Sequence, residues 1–266
     1  MFRRRFGGNA ATNGVITFET ETDTLVSEIV AQGGGTPTDA RKVVINSLIR
    51  ELKSAGVWSS LDLFYVLAAA DSTTARINWV APSTYLLSAV NSPTFTTDRG
   101  YAGNGTTARL DTGWTPSSNA VNFTQNSASM WVWCNTDGQT AGADVGNVSV
   151  APTAYLYTRS NSDLAVTRLN DSSTMTASSS SSIGFFGTQR RASNDRRLWR
   201  NGAQIGTTSG SASTGLPTQS LWICGANSGW FTTKQYAFFA AGAALSGKEK
   251  ALHDAVHGYL TAVGAI

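Results

Sequence analysis

The chain has 266 residues, a net charge of +3, 26 glycines, 10% aromatic residues and only 14% charged residues. Globular proteins usually have about 25% charged residues, so this composition disfavours a helical enzyme and provides no long basic stripe for nucleic acid. It fits a sandwich of short strands joined by many turns, and the length allows one large β-domain with helical additions or two small domains.

Residues 1–35 predict an extended arm that ends in the flexible joint Gly33-Gly34-Gly35. The opening MFRRRF groups Arg3, Arg4 and Arg5, which form either a solvated basic tail or an arm docked against an acidic neighbour. The basic start is followed by GGNAATNG and not by an apolar run, so no signal peptide is predicted. No stretch of the sequence approaches the roughly 20 apolar residues that a membrane helix needs.

Residues 36–74 predict a helical segment. In TPTDARKVVINSLIRELKSAG, Val44, Leu48 and Leu52 recur at a spacing of four, which indicates an amphipathic helix. The following WSSLDLFYVLAAAD is interpreted as a second helix packed on the first.

From Ala75 the hydrophobic period changes to two, and residues 75–245 predict a β-sandwich. Asn201-Gly202 is the residue pair favoured in type I′ hairpins. Cys134 and Cys224 lie in apolar strands; two buried free thiols are favoured, and a bridge between neighbouring strands stays open. Strands are expected at ARINWV, TYLLSAV, ARLDTGW, ASMWVWCN, AYLYTR, LAVTRL, SIGFFGTQR, RRLWRN, AQIGTTS, SLWICGA and QYAFFAAG.

Residues 246–266 predict a C-terminal helix that packs on the sandwich. Ser246 and Glu249 have the spacing of a capping box. His253 and His257 lie four residues apart on this helix without a third ligand, which indicates solvent-facing residues and not a metal pair.

Several segments in a fixed order carry a resemblance to a known family. They are VINSLIRELKSAGVWSSLDLFYVLAA, PSTYLLSAVNSPTFTTDRGYAGNGTTARLDTGW, FTQNSASMWVW, LWRNGAQIGTTSG, LPTQSLWICGANSG and FFAAGAALSGKEKALHDAVHGYL. From about Thr36 to the C-terminus the chain resembles bacteriophage and prophage virion proteins of the concanavalin A-like lectin/glucanase superfamily. The resemblance implies a mainly β, concanavalin A-like jelly-roll sandwich with flanking helices, and a place in tail fibres or in head or tail appendages.

Hydrolysis of a glycoside needs two carboxylates that face one bond. The hydrolases of the superfamily have an E-x-D-x-x-E pattern on one strand, whereas this sequence has no glutamate between Glu51 and Glu249. Asp111 is the only aspartate in a predicted strand, and it has no carboxylate two residues away. We therefore expect no enzyme and no cofactor. Calcium, which lectins of the superfamily often bind, would have only Asp98 or Asp137 as unsupported sites, and no metal site is predicted.

A sugar site needs an aromatic plate and polar groups for the hydroxyls. The candidate glycan-binding residues lie in loops, and the alternative is that they are packing and turn residues. They are Asp98, Tyr101 and Asn104 in DRGYAGNG, Trp114 after LDTG, and Asn227 and Trp230 in GANSGWFTT. Trp131 and Trp133 share one strand face and are predicted in the core.

Arginines cluster around the predicted hairpin beside Trp199, which raises the alternative of a phosphate-tracking patch. An exposed strand face or a subunit contact is favoured over nucleic-acid binding. These arginines are Arg190, Arg191, Arg196, Arg197 and Arg200.

Together these features predict a non-enzymatic phage virion structural protein, a tail or head appendage whose lectin-like domain attaches to host-surface polysaccharide. Arg3, Arg4 and Arg5 would dock the arm to other virion proteins, and the chain is expected to form a homo-oligomer without membrane contact. The protein would be located in the virion after assembly in the host cytoplasm. The alternative is a purely architectural decoration or joint protein that binds no glycan.

Overall fold

Two antiparallel β-sheets packed face to face, with helices against one of them, make up the computed structural model, which describes residues 17–206 and 210–266. Short 3₁₀ turns occur at Trp58–Ser60 and Thr74–Arg76. Among the described residues no helix has the length and apolar character that a membrane span requires. The helices are α1 (Thr20–Ala31), α2 (Asp39–Ser54), α3 (Pro116–Asn119) and α4 (Glu249–Ala262).

Short strands dominate the described part of the chain. The strands are β1 (Leu61–Val66), β2 (Ser88–Val90), β3 (Thr94–Thr96), β4 (Gly100–Ala102), β5 (Arg109–Asp111), β6 (Ala128–Cys134), β7 (Val145–Asn147), β8 (Thr153–Tyr157), β9 (Leu164–Asp171), β10 (Met175–Ser178), β11 (Gly184–Ala192), β12 (Asp195–Arg200), β13 (Ala203–Gly206), β14 (Trp222–Ile223), β15 (Gly225–Ala226), β16 (Trp230–Phe231) and β17 (Gln235–Gly242). Within the described residues, the first sheet has the order β13-β12-β11-β6-β17-β4-β3, with β1 also paired to β17, and the second has the order β10-β9-β8-β7-β14-β5-β2. Strands β15 and β16 form a separate hairpin.

The molecule is layered, and each layer has its own apolar contacts. Residues such as Met130, Leu156 and Phe186 fill the space between the two sheets. The helices α1, α2 and α4 cover the outer face of the first sheet, where Trp131 and Phe238 are buried. The hairpin β15–β16 lies on the outer face of the second sheet. Burying both faces of a sheet in this way produces the strongly apolar central strands.

The structure confirms the predicted mainly β sandwich with flanking helices. Asn201 and Gly202 both have positive φ (48° and 75°) in the turn between β12 and β13, as a type I′ hairpin requires. The cysteines Cys134 and Cys224 are free and buried, which confirms the interpretation as two thiols.

Two predictions before the sandwich are wrong. The segment predicted as an extended arm contains α1, because Thr22, Leu25 and Ile29 follow helical spacing and are buried. The predicted second helix at WSSLDLFYVLAAAD is instead a 3₁₀ turn followed by β1. Strand β1 is apolar on both faces because the sheet core covers one face and the helices cover the other. The predicted docking residues Arg3, Arg4 and Arg5 lie outside the described residues.

Further corrections concern single elements. ARINWV contains a 3₁₀ turn and no strand. The predicted capping box does not form, because Ser246 has a φ of 39° and accepts a hydrogen bond from Arg191, while Glu249 accepts one from the Gly247 N–H group. His253 does not face solvent but stacks on Trp133 with 5.8 Å between ring centroids.

Arg190 and Arg196 were predicted on an exposed strand face, and both are fully buried. Each guanidinium forms an ion pair of 2.6 Å with Asp171, whose side chain is only 1% exposed. Burial lowers the pKa of both arginines, and Asp171 opposes this shift. This group joins β9 to the hairpin β11–β12, so these two arginines stabilise the core and are not available to an outside partner.

Candidate functional site

An open cleft of about 490 Å³ lies beside the hairpin β15–β16. One wall is formed by Trp230 and Phe231 of β16, followed by Thr232 and Thr233. The segment 139–142, Asn161 and Gly105 also line the cleft. The cleft therefore combines two aromatic side chains with amide and hydroxyl groups, the mixture that sugar sites use.

The hairpin is held in place by its turn. Ser228 and Gly229 have φ values of 73° and 83°, so the chain reverses between Ala226 and Trp230. The side-chain Oδ1 of Asn227 accepts hydrogen bonds from the backbone N–H groups of Val148 (2.8 Å) and Ser149 (2.9 Å). These bonds attach the turn to the second sheet.

Close backbone packing sets the width of the cleft. A Cβ atom on Gly142 would lie 3.0 Å from the Phe231 nitrogen and 3.1 Å from the Trp230 Cα. The segment 139–142 approaches the hairpin this closely because residue 142 has no side chain.

The aromatic side chains of the cleft rest on further rings of the second sheet. Trp230 contacts Tyr155 and Tyr157 edge to face, at 5.9 Å and 5.8 Å between centroids. Phe231 stacks on Trp222 at 6.3 Å, and the Arg109 guanidinium lies 3.8 Å from the centroid of that tryptophan ring. Packing of this kind fixes the orientation of the two cleft rings without a ligand.

A buried ion pair lies beneath the cleft. Lys234 and Asp144 have side chains only 2% and 0% exposed, and their charged groups are 3.1 Å apart. Asp144 also accepts hydrogen bonds from the Tyr236 hydroxyl (2.7 Å) and the Thr158 hydroxyl (2.6 Å), and Lys234 donates to the Arg159 carbonyl (3.2 Å). Burial raises the pKa of Tyr236 well above its ordinary value, so this phenol stays protonated and donates.

A second group of charges lies at the rim. Arg159 pairs with Asp137 (3.1 Å) and Asp163 (2.7 Å), and Asp163 also accepts a hydrogen bond from Gln139. The backbone N–H of Ser182, with its hydroxyl and Arg159, lowers the pKa of Asp137 to about 2. Arg159 is thus fully engaged in fixing the loops that carry Gln139 and Asn161.

The structure places one of the six predicted glycan-binding residues in the cleft wall, Trp230. Asn227 supports the same hairpin from below, and this residue is only 8% exposed. Asn104 caps the neighbouring turn, since its Oδ1 accepts the N–H groups of Thr107 and Ala108 at 2.8 Å. Asn104 is therefore a turn residue, as the alternative to glycan binding predicted. It is the neighbour in sequence of the cleft residue Gly105.

The other three predicted residues lie elsewhere, and the structure corrects their assignment. Trp114 is 1% exposed and packs on Phe123, so its ring cannot reach a ligand. Tyr101 is 3% exposed and donates its hydroxyl hydrogen to the Ser72 carbonyl. Asp98 forms an ion pair of 2.6 Å with Arg41 on the helical side of the molecule.

Sequence reasoning missed most of the cleft. Phe231 could have been predicted because it follows Trp230 directly. Trp222, which supports Phe231, could have been predicted as an outward ring because it alternates with the apolar Ile223. Gln139 and Asn161 lie in loops without any distinguishing pattern.

The described residues contain no group of three or more side chains arranged to hold a metal ion. The two aspartates considered for calcium are occupied by protein partners. Asp98 pairs with Arg41, while Asp137 binds Arg159 and Ser182.

Comparisons with known proteins show the fold. The sequence matches no protein family, and no curated protein is significantly similar to it. Trypanosoma rangeli sialidase in complex with 2,3-difluoro-KDN superposes with a TM-score of 0.51 at 10% identity, over 80% of this chain and 39% of that chain. Another structure of the same sialidase gives a TM-score of 0.50 at 10% identity, over 81% of this chain and 39% of that one.

A third similarity is weaker. Domain 4 of AbnA, a GH43 extracellular arabinanase from Geobacillus stearothermophilus, solved with arabinotriose, gives a TM-score of 0.45 at 10% identity, over 73% of this chain and 98% of that chain. A likeness at this level supports no argument. The chain spans 39% of the length of the sialidase chains, so their likeness shows a shared lectin-like β-sandwich and transfers no activity.

The prediction of a structural protein of a phage particle is wrong. The solved structures that resemble this chain include sialidases of a trypanosome, and these similarities give no support to a virion protein. The architectural alternative loses its basis for the same reason. The part of the resemblance that the comparisons support is the sandwich fold.

Proposed function

We propose that this chain is a glycan-binding β-sandwich domain whose ligand occupies the cleft beside Trp230. The observation that carries the proposal is the cleft itself, which is lined by a tryptophan and a phenylalanine together with Gln139, Thr140 and Asn161. The apolar face of a sugar ring packs on an aromatic plate while its hydroxyls bind amides and hydroxyls.

Preorganisation supports this assignment. Trp230 is partly buried and is fixed by Tyr155 and Tyr157, and the loops opposite are fixed by Arg159. A cleft whose walls are already ordered loses little conformational entropy when a ligand binds.

The proposal assigns binding to the cleft and no hydrolysis. The cleft is lined by described residues that include neither Asp nor Glu, whereas glycoside hydrolysis uses a pair of carboxylates. Sialidases use a tyrosine nucleophile instead. Tyr236 donates a hydrogen bond of 2.7 Å to Asp144 and is a tyrosine beside a carboxylate. It is 0% exposed, so no substrate can reach it.

The test is a glycan array followed by titration calorimetry on the glycan that is retained. Trp230→Ala should weaken binding about tenfold or more, because the aromatic plate is lost. Trp58→Ala is the matched control, since Trp58 is also a partly buried tryptophan but packs on Phe64 beneath the helices. No retention on the array by the folded chain, or equal losses from both variants, would refute the proposal.

A further inference from the structure

The outer face of the second sheet carries two arginines that are stacked on aromatic rings. The Arg109 guanidinium lies 3.8 Å from the centroid of Trp222, and the Arg168 guanidinium lies 5.6 Å from the centroid of Tyr155. Neither arginine forms an ion pair within the described part of the chain, in contrast to Arg159, which binds two aspartates. Two cations on this face are therefore without an ion-pair partner among the described residues.

Neither arginine lines the cleft, but each contacts a ring that packs against a residue of the cleft wall. Trp222, beneath Arg109, stacks on Phe231 of the cleft wall, and Tyr155, beneath Arg168, contacts Trp230 of the same wall. Each guanidinium is thus two ring contacts away from the ligand cleft.

Strand register explains the arrangement. Trp222 pairs with Gly146 on β7, and Gly146 pairs with Tyr155 on β8, so the two rings stand on either side of a residue without a side chain. A Cβ atom on Gly146 would lie 2.1 Å from the Ala154 carbonyl oxygen, which requires glycine there. Arg109 lies on β5 and Arg168 on β9, four strands apart, while the rings that their guanidinium groups contact lie on β14 and β8, which are two strands or about 10 Å apart.

The hydrogen bonding of the two arginines leaves donors free. Arg168 donates from Nε to the Thr174 hydroxyl (3.1 Å), and the Arg109 Nε is buried without an acceptor. The acid beside Arg109, Asp111, accepts the Gly113 N–H at 2.9 Å and forms no ion pair with Arg109 in the described structure. A guanidinium that packs on a ring presents its remaining N–H groups to a carboxylate or sulfate at low entropic cost.

We propose that the ligand is an anionic glycan, whose carboxylate or sulfate groups are bound by Arg109 and Arg168 while its sugar rings occupy the cleft. The inference rests on the proposed glycan binding and adds the chemical class of the glycan. Two separate cations favour a polymer with repeated charges over a single charged sugar.

The experiment compares matched polymers by titration calorimetry: polygalacturonate with its fully methyl-esterified neutral form, and dextran sulfate with dextran. We expect the anionic member of at least one pair to bind about tenfold more tightly, with Arg109→Gln and Arg168→Gln each removing about fivefold of that preference. Preference for the first pair assigns carboxylate, and preference for the second assigns sulfate.

The control is Arg50→Gln, which removes the same charge from an exposed position on α2, in the helical layer. Arg109→Lys keeps the charge without the planar guanidinium and serves if the glutamine variant does not fold. Equal affinity for charged and neutral polymers, or an equal loss from Arg50→Gln, would overturn this inference while leaving the cleft as a site for neutral glycans. Absence of binding to every glycan would refute the proposed function as well.

Discussion

Replacing Lys234 by methionine should strongly destabilise the fold, because it leaves the buried Asp144 carboxylate without its countercharge. Both side chains are almost completely buried, and their charged groups are 3.1 Å apart. Asp144 would keep its hydrogen bonds from Thr158 and Tyr236 but no cation. Breaking such a pair from one side typically costs about 3–5 kcal/mol, a large part of the roughly 5–15 kcal/mol by which a domain is stable.

The free energy of unfolding is measured by urea denaturation followed through tryptophan fluorescence. Lys250→Met is the control, because its ion pair with Asp254 is exposed (73% and 52%) and should contribute less than about 1 kcal/mol. The double variant Lys234→Met with Asp144→Asn removes both charges and should recover much of the loss. A Lys234→Met protein within about 1 kcal/mol of the original, or a double variant no more stable than the single one, would refute the reasoning.

Three further predictions concern stability and reactivity. Burial raises the pKa of the Cys134 thiol to about 12, so a thiol reagent such as DTNB should label neither cysteine in the native protein and both in denaturant; rapid native labelling would contradict this. The folded-state pKa of Asp137, lowered to about 2 chiefly by the Ser182 N–H, lies below its ordinary 3.8, so its stabilising contribution is present above pH 4 and lost as the pH falls toward 2. In urea titrations, the difference in stability between the original and Asp137→Asn should therefore shrink across that window; a constant difference would be evidence against the assignment. Gly187→Ala should reduce the free energy of unfolding by about 1–3 kcal/mol or more, because its Cβ would lie 1.8 Å from the Trp131 ring. Calorimetry should therefore show a lower melting temperature, and an unchanged melting temperature would contradict the packing.

The sandwich was predictable because strands such as β9 and β12 bury one face more than the other, and the other strands are bounded by turns. Strand β1 shows where this fails. Leu63 and Tyr65 face the opposite sheet while Phe64 and Val66 face the helices, so the sequence is apolar throughout and its period is hidden. The opposite error occurred in residues 1–35. Their weak alternation predicted an extended arm, whereas α1 is a helix.

The burial of Arg196 could have been predicted from the alternation of side chains along its strand. Arg196 lies two residues before Leu198 on β12, and successive residues of a strand point to opposite faces, so the two side chains share a face. Leu198 is buried between the two sheets. The partner Asp171 lies 25 residues earlier in the sequence, and no local pattern links it to the hairpin.

The candidate site was predictable only in its aromatic residue. Trp230 stood out as a tryptophan in a glycine-rich loop, yet Trp114 has the same local signature and is completely enclosed by the sandwich. What separates these two residues is their position relative to the sheets, which depends on the whole topology. Exposed aromatic residues therefore need the fold before they can be assigned to a site.

The cleft and the buried ion pair belong to one structural unit. Four segments line the cleft, and three of them continue within two residues into the buried network: residues 139–142 into Asp144, Asn161 back to the Arg159 carbonyl, and Thr232 with Thr233 into Lys234. Charges at the ends of these segments thus fix the relative positions of the walls. Because the network joins the walls below the ligand, variants that loosen it should weaken glycan binding even where no contact to the glycan is removed, whereas substitutions in the distant helical layer should not.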